Sequence, residues 1–197
     1  MLMGLLPMAA LHSSTIVGRY FMKFDTSIVQ TVVESPLGPV TLAATDRGLA
    51  GLWFAGQRHL PPELAQPLSG QTWTHSDQHA VLQQAAAQLA QYFAGQRCHF
   101  DLPLDMSGGT AFQQAVWQAL LTITPGHTCT YSAISQMVGK PAAVRAVGAA
   151  IGRNPLSIVV PCHRVLGKRG SLTGYAGGLE RKQALLRIEG VTTVFSG

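Results

Sequence analysis

The segment "DLPLDMSGG", residues 101–109, divides the chain into two halves that differ in residue periodicity and in charge. Before it lie three short β-prone runs, "SIVQTVV", "PVTLAAT" and "LAGLWFA", separated by "ESPLG" and "DRG". β-Branched and apolar runs punctuated by Pro, Gly and Asp predict a small antiparallel meander. "SDQHAVLQQAAAQLAQYFAG" then changes to helical spacing, with Leu82, Ala86, Leu89 and Phe93 on one face, Asp77 as the cap and Gly95 as the stop. A chain that builds strands and one helix before the divide has the makings of a small α/β domain, which we place at 23–105. The remainder, 106–197, reads as mainly helical.

The second half opens with a helix over "TAFQQAVWQALLTI", carrying Phe112, Val116 and Leu120 on one face. "TYSAISQMVG" predicts a short helix ending at Gly139, and "KPAAVRAVGAAIG" another, with Pro141 in its first turn. Two short helices joined across Gly139-Lys140 form a helix-turn-helix pattern. The second is so rich in Ala and Gly that its backbone can approach a neighbour closely. Tight helix packing alone would account for that, but Arg145 stands alone among small residues and would project well beyond them. "LSIVV" reads as a strand, "RVL", "GKRG" and "SLT" as a hairpin or wing with a basic tip, "GYAGGLE" as a loop, and "LERKQALLRIEG" as a final helix whose last residue is Glu189.

Charge separates along the same divide. Residues 1–109 hold five Lys/Arg and seven Asp/Glu, whereas residues 110–197 hold nine and two. A basic C-terminal half favours a polyanionic partner, nucleic acid above all. With 47% hydrophobic and 12% charged residues, the composition is that of a globular chain and not of a disordered one. Cys98, Cys129 and Cys162 are an odd set with no disulfide framework, which places the chain in a reducing cytosol. The opening "MLMGLLPMAALHSS" has no Lys or Arg before Arg19, and its apolar run is too short to span a bilayer, so neither a signal sequence nor a membrane anchor is expected. Residues 1–22 read as a flexible extension, with Met22 a candidate start.

Chemistry concentrates at "VVPCHRV". Buried cysteines are usually quiet, but Cys162 has His163 and Arg164 beside it, and cationic neighbours favour a thiolate. Glu189 at a helix C-terminus sits at the unfavourable end of the dipole. It is either a solvated charge or a carboxylate held there to orient a histidine. The seven histidines show no metal-ligand spacing with the cysteines, and Cys98-His99 reads as part of a strand, so no metal is expected.

From Phe112 to Gly190 the chain resembles the O6-alkylguanine-DNA alkyltransferases, also called methylated-DNA–protein-cysteine methyltransferases, through "TYSAIS", "RAVGAAIGRNP", "IVVPCHRV" and "GSLTGYAGGLERK". The N-terminal half matches more loosely. The resemblance implies a ribonuclease-H-like α/β domain followed by a winged helix-turn-helix domain. It also implies direct damage reversal, in which O6-alkylguanine, and O4-alkylthymine with it, is flipped from duplex DNA. The protein enters from the minor groove and transfers the alkyl group irreversibly to Cys162. Flipping is needed because a base inside the stack cannot be reached. By the same resemblance, a water connects Cys162 to His163, Glu189 orients that histidine, and Asn154 braces the turn. Tyr131 helps rotate the nucleotide and donates a hydrogen bond to the leaving guanine. Arg145 fills the vacated space, and Ala142, Ala143, Ala146, Gly148 and Arg153 complete the DNA face. Val165, Tyr175, Ala176 and Gly177 form the base pocket, where backbone groups at Cys162, Val165 and Ala176 read the guanine edge. Ala176 stands where relatives can carry serine, which bears on bulky-adduct preference. No cofactor is implied, because the lesion is itself the donor. Double-stranded DNA is the partner, and the protein is expected to be a monomer without it.

Two other classes remain open at this level. A Cys–His hydrolase would acylate Cys162 and turn over repeatedly. A winged-helix regulator or a lesion sensor would bind without chemistry, although "AAVRAVGAAIG" has little with which to read bases in the major groove, and sensors lack the nucleophile.

Overall fold

A computed structural model describes residues 22–65 and 72–191. Most of the expected N-terminal extension, residues 1–21, lies outside these. Met22 itself packs against the main core. Strands β1 (Val29–Val33), β2 (Val40–Thr45) and β3 (Gly48–Phe54) form the antiparallel meander, with Val29 opposite Ala44 and Val40 opposite Phe54. A two-residue strand, β4 (Thr74–His75), pairs in parallel with β1, so the sheet is mixed, in the order β3-β2-β1-β4.

Every residue of β3 is buried. One face carries Ala50 and Trp53 into an aromatic cluster with Phe24, Trp73 and Leu64, the last from the short helix α1 (Pro62–Ala65). The other face carries Leu49, Leu52 and Phe54 into the main core. The outer edge is occupied as well. Leu49 N–H donates to Pro103 O at 2.8 Å and Asp105 N–H to Leu49 O at 2.8 Å; beyond them Leu52 N–H donates to Pro155 O at 2.8 Å and Ser157 N–H to Leu52 O at 3.0 Å. The segment around 101–109 therefore docks against β3 and joins the halves instead of tethering them loosely. Gly48, at φ +143°, permits this approach, because a Cβ there would lie 2.4 Å from Pro103 O.

Helix α2 (Ala80–Phe93) covers the main-core face of the sheet with Leu82, Ala85, Leu89 and Tyr92 buried. The expected face is thus rotated slightly, and Ala86 and Phe93 are only half-buried. Asp77 does not cap this helix. The N-cap is His79, without a side-chain bond, while Asp77 Oδ1 accepts from Thr31 Oγ1 at 2.9 Å. Cys98 and His99 form no strand and are exposed. The Gln88 side chain instead accepts from Asp101 N–H at 2.8 Å and donates to Asp101 O at 2.9 Å, giving that stretch the backbone partners a strand would otherwise supply.

In the second half, α3 (Ala111–Leu121) starts from a capping box in which Thr110 and Gln113 satisfy each other's backbone N–H groups. Trp117 Nε1 donates to Ala150 O at 2.9 Å, fixing α3 against α5 (Val144–Gly152). The short α4 (Tyr131–Met137) completes the helix-turn-helix. α5 begins three residues later than Pro141 suggested. Residues 140–143 form a turn, with Ala143 N–H donating to Lys140 O at 2.8 Å.

Two strand expectations fail here. "LSIVV" is buried but is a turn: Asn154 Oδ1 accepts from Leu156 N–H and its Nδ2 donates to Val160 O, while Ile158 takes φ +72°. One side chain has captured the backbone groups a strand would have paired, which overrides β-propensity. The wing hairpin is not formed either. β6 (Val165–Leu166) pairs in parallel with β5 (Cys129–Thr130), and the basic tip Lys168–Gly170 is a 3-10 turn closed by Gly167 N–H to Ser171 O at 2.8 Å. The last helix, α6, spans Leu179–Ile188, with Glu189 as its C-cap.

Candidate active site and nucleic-acid face

Cys162 begins a 3-10 turn, Cys162–Arg164, at the point where the Asn154-organised turn ends. The thiol is 5% exposed, and Asn154 Nδ2 lies 3.1 Å from Sγ while also donating to Val160 O at 2.8 Å. One amide thus holds both the turn and the sulfur. Burial pushes the Cys162 thiol up, against the opposing effects of the Asn154 contact and the Lys182 charge. The expectation that adjacent cations would favour a resting thiolate is therefore corrected. Arg164 turns away to Glu189, and burial pushes the His163 imidazole down, so the neighbour of the thiol is a neutral base.

The carboxylate of Glu189 organises this side of the site. Its side chain is 1% exposed, so it is no solvated charge. Oε1 accepts from His163 Nε2 at 2.9 Å, Tyr92 OH at 2.8 Å and Arg164 Nη2 at 2.9 Å, and Oε2 accepts from Arg164 Nε at 2.7 Å. Burial alone would raise its pKa, but the His163 and Arg164 hydrogen bonds and charges outweigh it and hold Glu189 at about 2. An ionised carboxylate can only accept, so His163 must carry its proton on Nε2. Its Nδ1 is then the basic nitrogen, and it makes no hydrogen bond to another described residue.

Sequence reasoning placed Cys162, His163, Glu189 and Asn154, and the fold brings them together. It missed Tyr92 and the true partner of Arg164. It missed Lys182 as well, a fully buried lysine on α6 whose Nζ donates to Val165 O and Thr173 O, each at 2.6 Å. Burial lowers the Lys182 pKa to about 8. Nothing in the spacing of "LERKQALL" marks that lysine as buried; its partners Val165 O and Thr173 O are supplied by tertiary packing.

Tyr131, first residue of α4, is half-buried and donates to Thr173 O at 3.3 Å and Gly174 O at 3.2 Å. Burial raises its hydroxyl pKa, so the phenol keeps its proton as a donor. Arg145, Ala142, Ala146 and Arg153 are exposed, with Ala143 and Gly148 half-buried. Gly148 lies against the Tyr131 ring, 3.7 Å from where its Cβ would be. Val165, Tyr175 and Gly177 are buried and Ala176 half-buried. Among the described residues no three His, Cys, Asp or Glu side chains gather to hold a metal ion, and no helix is long and apolar enough to cross a membrane.

A buried thiol beside a neutral histidine, next to a helix-turn-helix with an exposed arginine, defines a class: proteins that bring a cysteine nucleophile to nucleic acid. Comparison with known proteins narrows it. Residues 28–106 match the 6-O-methylguanine DNA methyltransferase ribonuclease-like domain, and residues 111–191 match the DNA-binding domain of the same family. The chain belongs to the 6-O-methylguanine DNA methyltransferase family. It is 46% identical over 157 residues to the methylated-DNA–protein-cysteine methyltransferase of Mycobacterium tuberculosis, covering 80% of this chain and 89% of that one. The Methanosarcina barkeri protein of the same name is 44% identical over 159 residues, covering 80% and 94%. Among solved structures, Mycobacterium tuberculosis OGT in complex with DNA superposes with a TM-score of 0.71 at 45% identity, covering 82% of this chain and 92% of that one. The expected fold class, a ribonuclease-like sheet domain before a helical DNA-binding domain, is the fold observed.

Proposed function

We propose that this protein repairs DNA by removing the alkyl group from O6-alkylguanine, and from O4-alkylthymine, onto Cys162 in a single irreversible turnover. The observation that carries this reading is the hydrogen bond from His163 Nε2 to an ionised Glu189, which leaves Nδ1 as a base beside a buried, protonated thiol. The Cys162 proton passes to His163 Nδ1 through a bridging water, and the imidazolium that forms is stabilised by Glu189. The thiolate attacks the alkyl carbon. The carbon–sulfur bond forms as the carbon–O6 bond breaks, and the electron pair stays on guanine. Tyr131 donates to the leaving base, which ends with the proton the thiol gave up. The thioether product is not readily cleaved by water, which makes the reaction stoichiometric.

Reaching the base requires flipping, at a cost of a few kcal/mol. Arg145 enters the gap, while Ala142, Ala143, Ala146 and Gly148 let the helix approach the duplex and Arg153 contacts the backbone. Val165, Tyr175, Ala176 and Gly177 enclose the flipped base. The division of labour falls between residues 23–105 and 106–197, in keeping with the two matched segments. The protein works as a monomer on duplex DNA in the cytosol. Three free cysteines, one of them a nucleophile, suit that reducing compartment.

The test is a labelled alkyl group on O6 of guanine in a duplex. Label should move to Cys162 alone, leaving Cys98 and Cys129 unmodified. Cys162→Ala should transfer nothing while binding the duplex as the parent does. Transfer surviving in Cys162→Ala would reject the assignment.

A further inference from the structure

The loop that encloses the proposed base pocket is held from the other half of the molecule. Its outer side presents three successive carbonyls, and all three are taken by donors. Arg58 Nη2 donates to Tyr175 O at 3.1 Å, and that oxygen also closes a turn by accepting from Gly178 N–H at 3.2 Å. Arg58 N–H donates to Ala176 O at 2.9 Å, and Arg181 Nη1 donates to Gly177 O at 3.1 Å. Arg58 sits on the turn after β3, in the N-terminal half. That turn is itself fixed: Gln57 is buried, its Oε1 accepts from Phe54 N–H at 2.9 Å, and Ala55 N–H donates to Pro39 O at 2.9 Å. Arg181 leans on the same place, with its guanidinium 4.8 Å from the Phe54 ring centroid and its Nε donating to Leu37 O at 2.9 Å.

Peptide geometry turns these contacts into a statement about the pocket. In a trans peptide the C=O of one residue and the N–H of the next point in opposite directions. Holding Tyr175 C=O against Arg58 therefore aims Ala176 N–H the other way, and holding Ala176 C=O against Arg58 does the same for Gly177 N–H. Neither N–H donates to another described residue. Two donors stand free on one side of the loop because Arg58, together with the Gly178 N–H that closes the turn on Tyr175 O, occupies the acceptors on the other.

We propose that Arg58 is a positioning residue for base recognition: it orients the Tyr175–Ala176 and Ala176–Gly177 peptides so that their N–H groups face the alkylated base. The N-terminal half thereby takes part in reading the substrate without touching it. This rests on the reading that the protein transfers alkyl groups from guanine to Cys162, and it adds a residue that reading does not contain.

The experiment compares two reagents that deliver the same benzyl group to the same sulfur, free O6-benzylguanine and benzyl bromide. Only the first presents a guanine edge; with the second, bromide leaves as the carbon–sulfur bond forms. Adduct formation on Cys162 is followed by peptide mass mapping, which separates it from adducts on the exposed Cys98 and on Cys129, over a range of reagent concentrations, in the parent, Arg58→Ala and Arg58→Lys. Arg58→Ala keeps the backbone bond to Ala176 O and loses only the side-chain bond to Tyr175 O. Its half-saturating O6-benzylguanine concentration should rise about fivefold, as expected for one lost hydrogen bond, with the limiting rate unchanged. Benzyl bromide should react with both proteins equally, and Arg58→Lys should recover part of the loss. Equal O6-benzylguanine curves for parent and Arg58→Ala would overturn the proposal, as would equal losses with both reagents, which would make Arg58 merely structural. A parent protein that reacts with benzyl bromide but takes no alkyl group from O6-benzylguanine or from a duplex carrying O6-methylguanine would defeat the alkyltransfer reading itself and the inference with it.

Discussion

At the scale of single residues, the chemistry turns on which group holds the proton. The Cys162 thiol is pushed up by burial and His163 is pushed down, so at neutral pH the resting pair is thiol and imidazole rather than thiolate and imidazolium. A thiolate held permanently would invite side reactions; in the proposed mechanism the proton leaves toward His163 Nδ1 only when transfer begins. The pH dependence has a definite sign. His163 is depressed below 6.5, so its neutral form persists as pH falls through 6.5 and the transfer rate should hold steady there, dropping only at lower pH. The Glu189 hydrogen bond and charge both raise His163, so Glu189→Gln removes a raising influence and makes His163 a weaker base. Stopped-flow transfer rates on that variant should fall about 100-fold at pH 7, the lower end of the scale of general acid–base catalysis, with the acid limb moved to still lower pH. An acid limb moving upward, or an unchanged profile, would remove the relay. Arg164 loses its counter-charge in this variant, so the comparison belongs at a temperature where both proteins are folded.

At the scale of elements, the two helices of the helix-turn-helix divide between packing and contact. Val147, Ala150 and Ile151 bury one side of α5, and Trp117 reaches Ala150 O to lock it, while Arg145 and Ala146 face outward. An arginine on the exposed side of a well-packed helix contributes little to the fold, which allows a clean separation. Arg145→Ala should slow repair of an alkylated duplex about 30-fold, equivalent to ~2 kcal/mol lost from the flipped state, while leaving transfer from free O6-benzylguanine within about twofold. Equal losses on both substrates would return Arg145 to the scaffold. The same elements show what the sequence could and could not reveal. "TAFQQAVW" was readable because Thr110 and Gln113 form a local capping box, and the meander because its turns are local. "LSIVV" was misread because its conformation is dictated by Asn154, whose two backbone bonds leave no trace in periodicity. The wing failed likewise, since β6 finds its partner in β5, thirty-odd residues upstream, instead of in the adjacent "SLT".

At the scale of the whole molecule, the halves that composition separates are joined where the chemistry happens. Tyr92 of α2 reaches across to Glu189 at the end of α6, β3 pairs at its edge with Leu156 just before the Cys162 turn, and Arg58 holds the pocket loop. The charge divide pointed to the polyanion-binding half. Cys162, His163 and Glu189 stood out through motif and position. The supports from the N-terminal half did not, because a hydroxyl bond spanning 97 positions and a loop-to-loop clamp spanning 117 are made by tertiary packing alone. The central claim, that this assembly spends one thiol per lesion, has a direct measurement. The protein is incubated with a several-fold excess of duplex carrying O6-methylguanine, and both the repaired lesions and the intact protein mass are followed to completion. The account predicts that repair stops at one lesion per molecule, with each molecule carrying a single methyl group on Cys162. Repair continuing past equivalence, or a protein recovered without the methyl group, would contradict it.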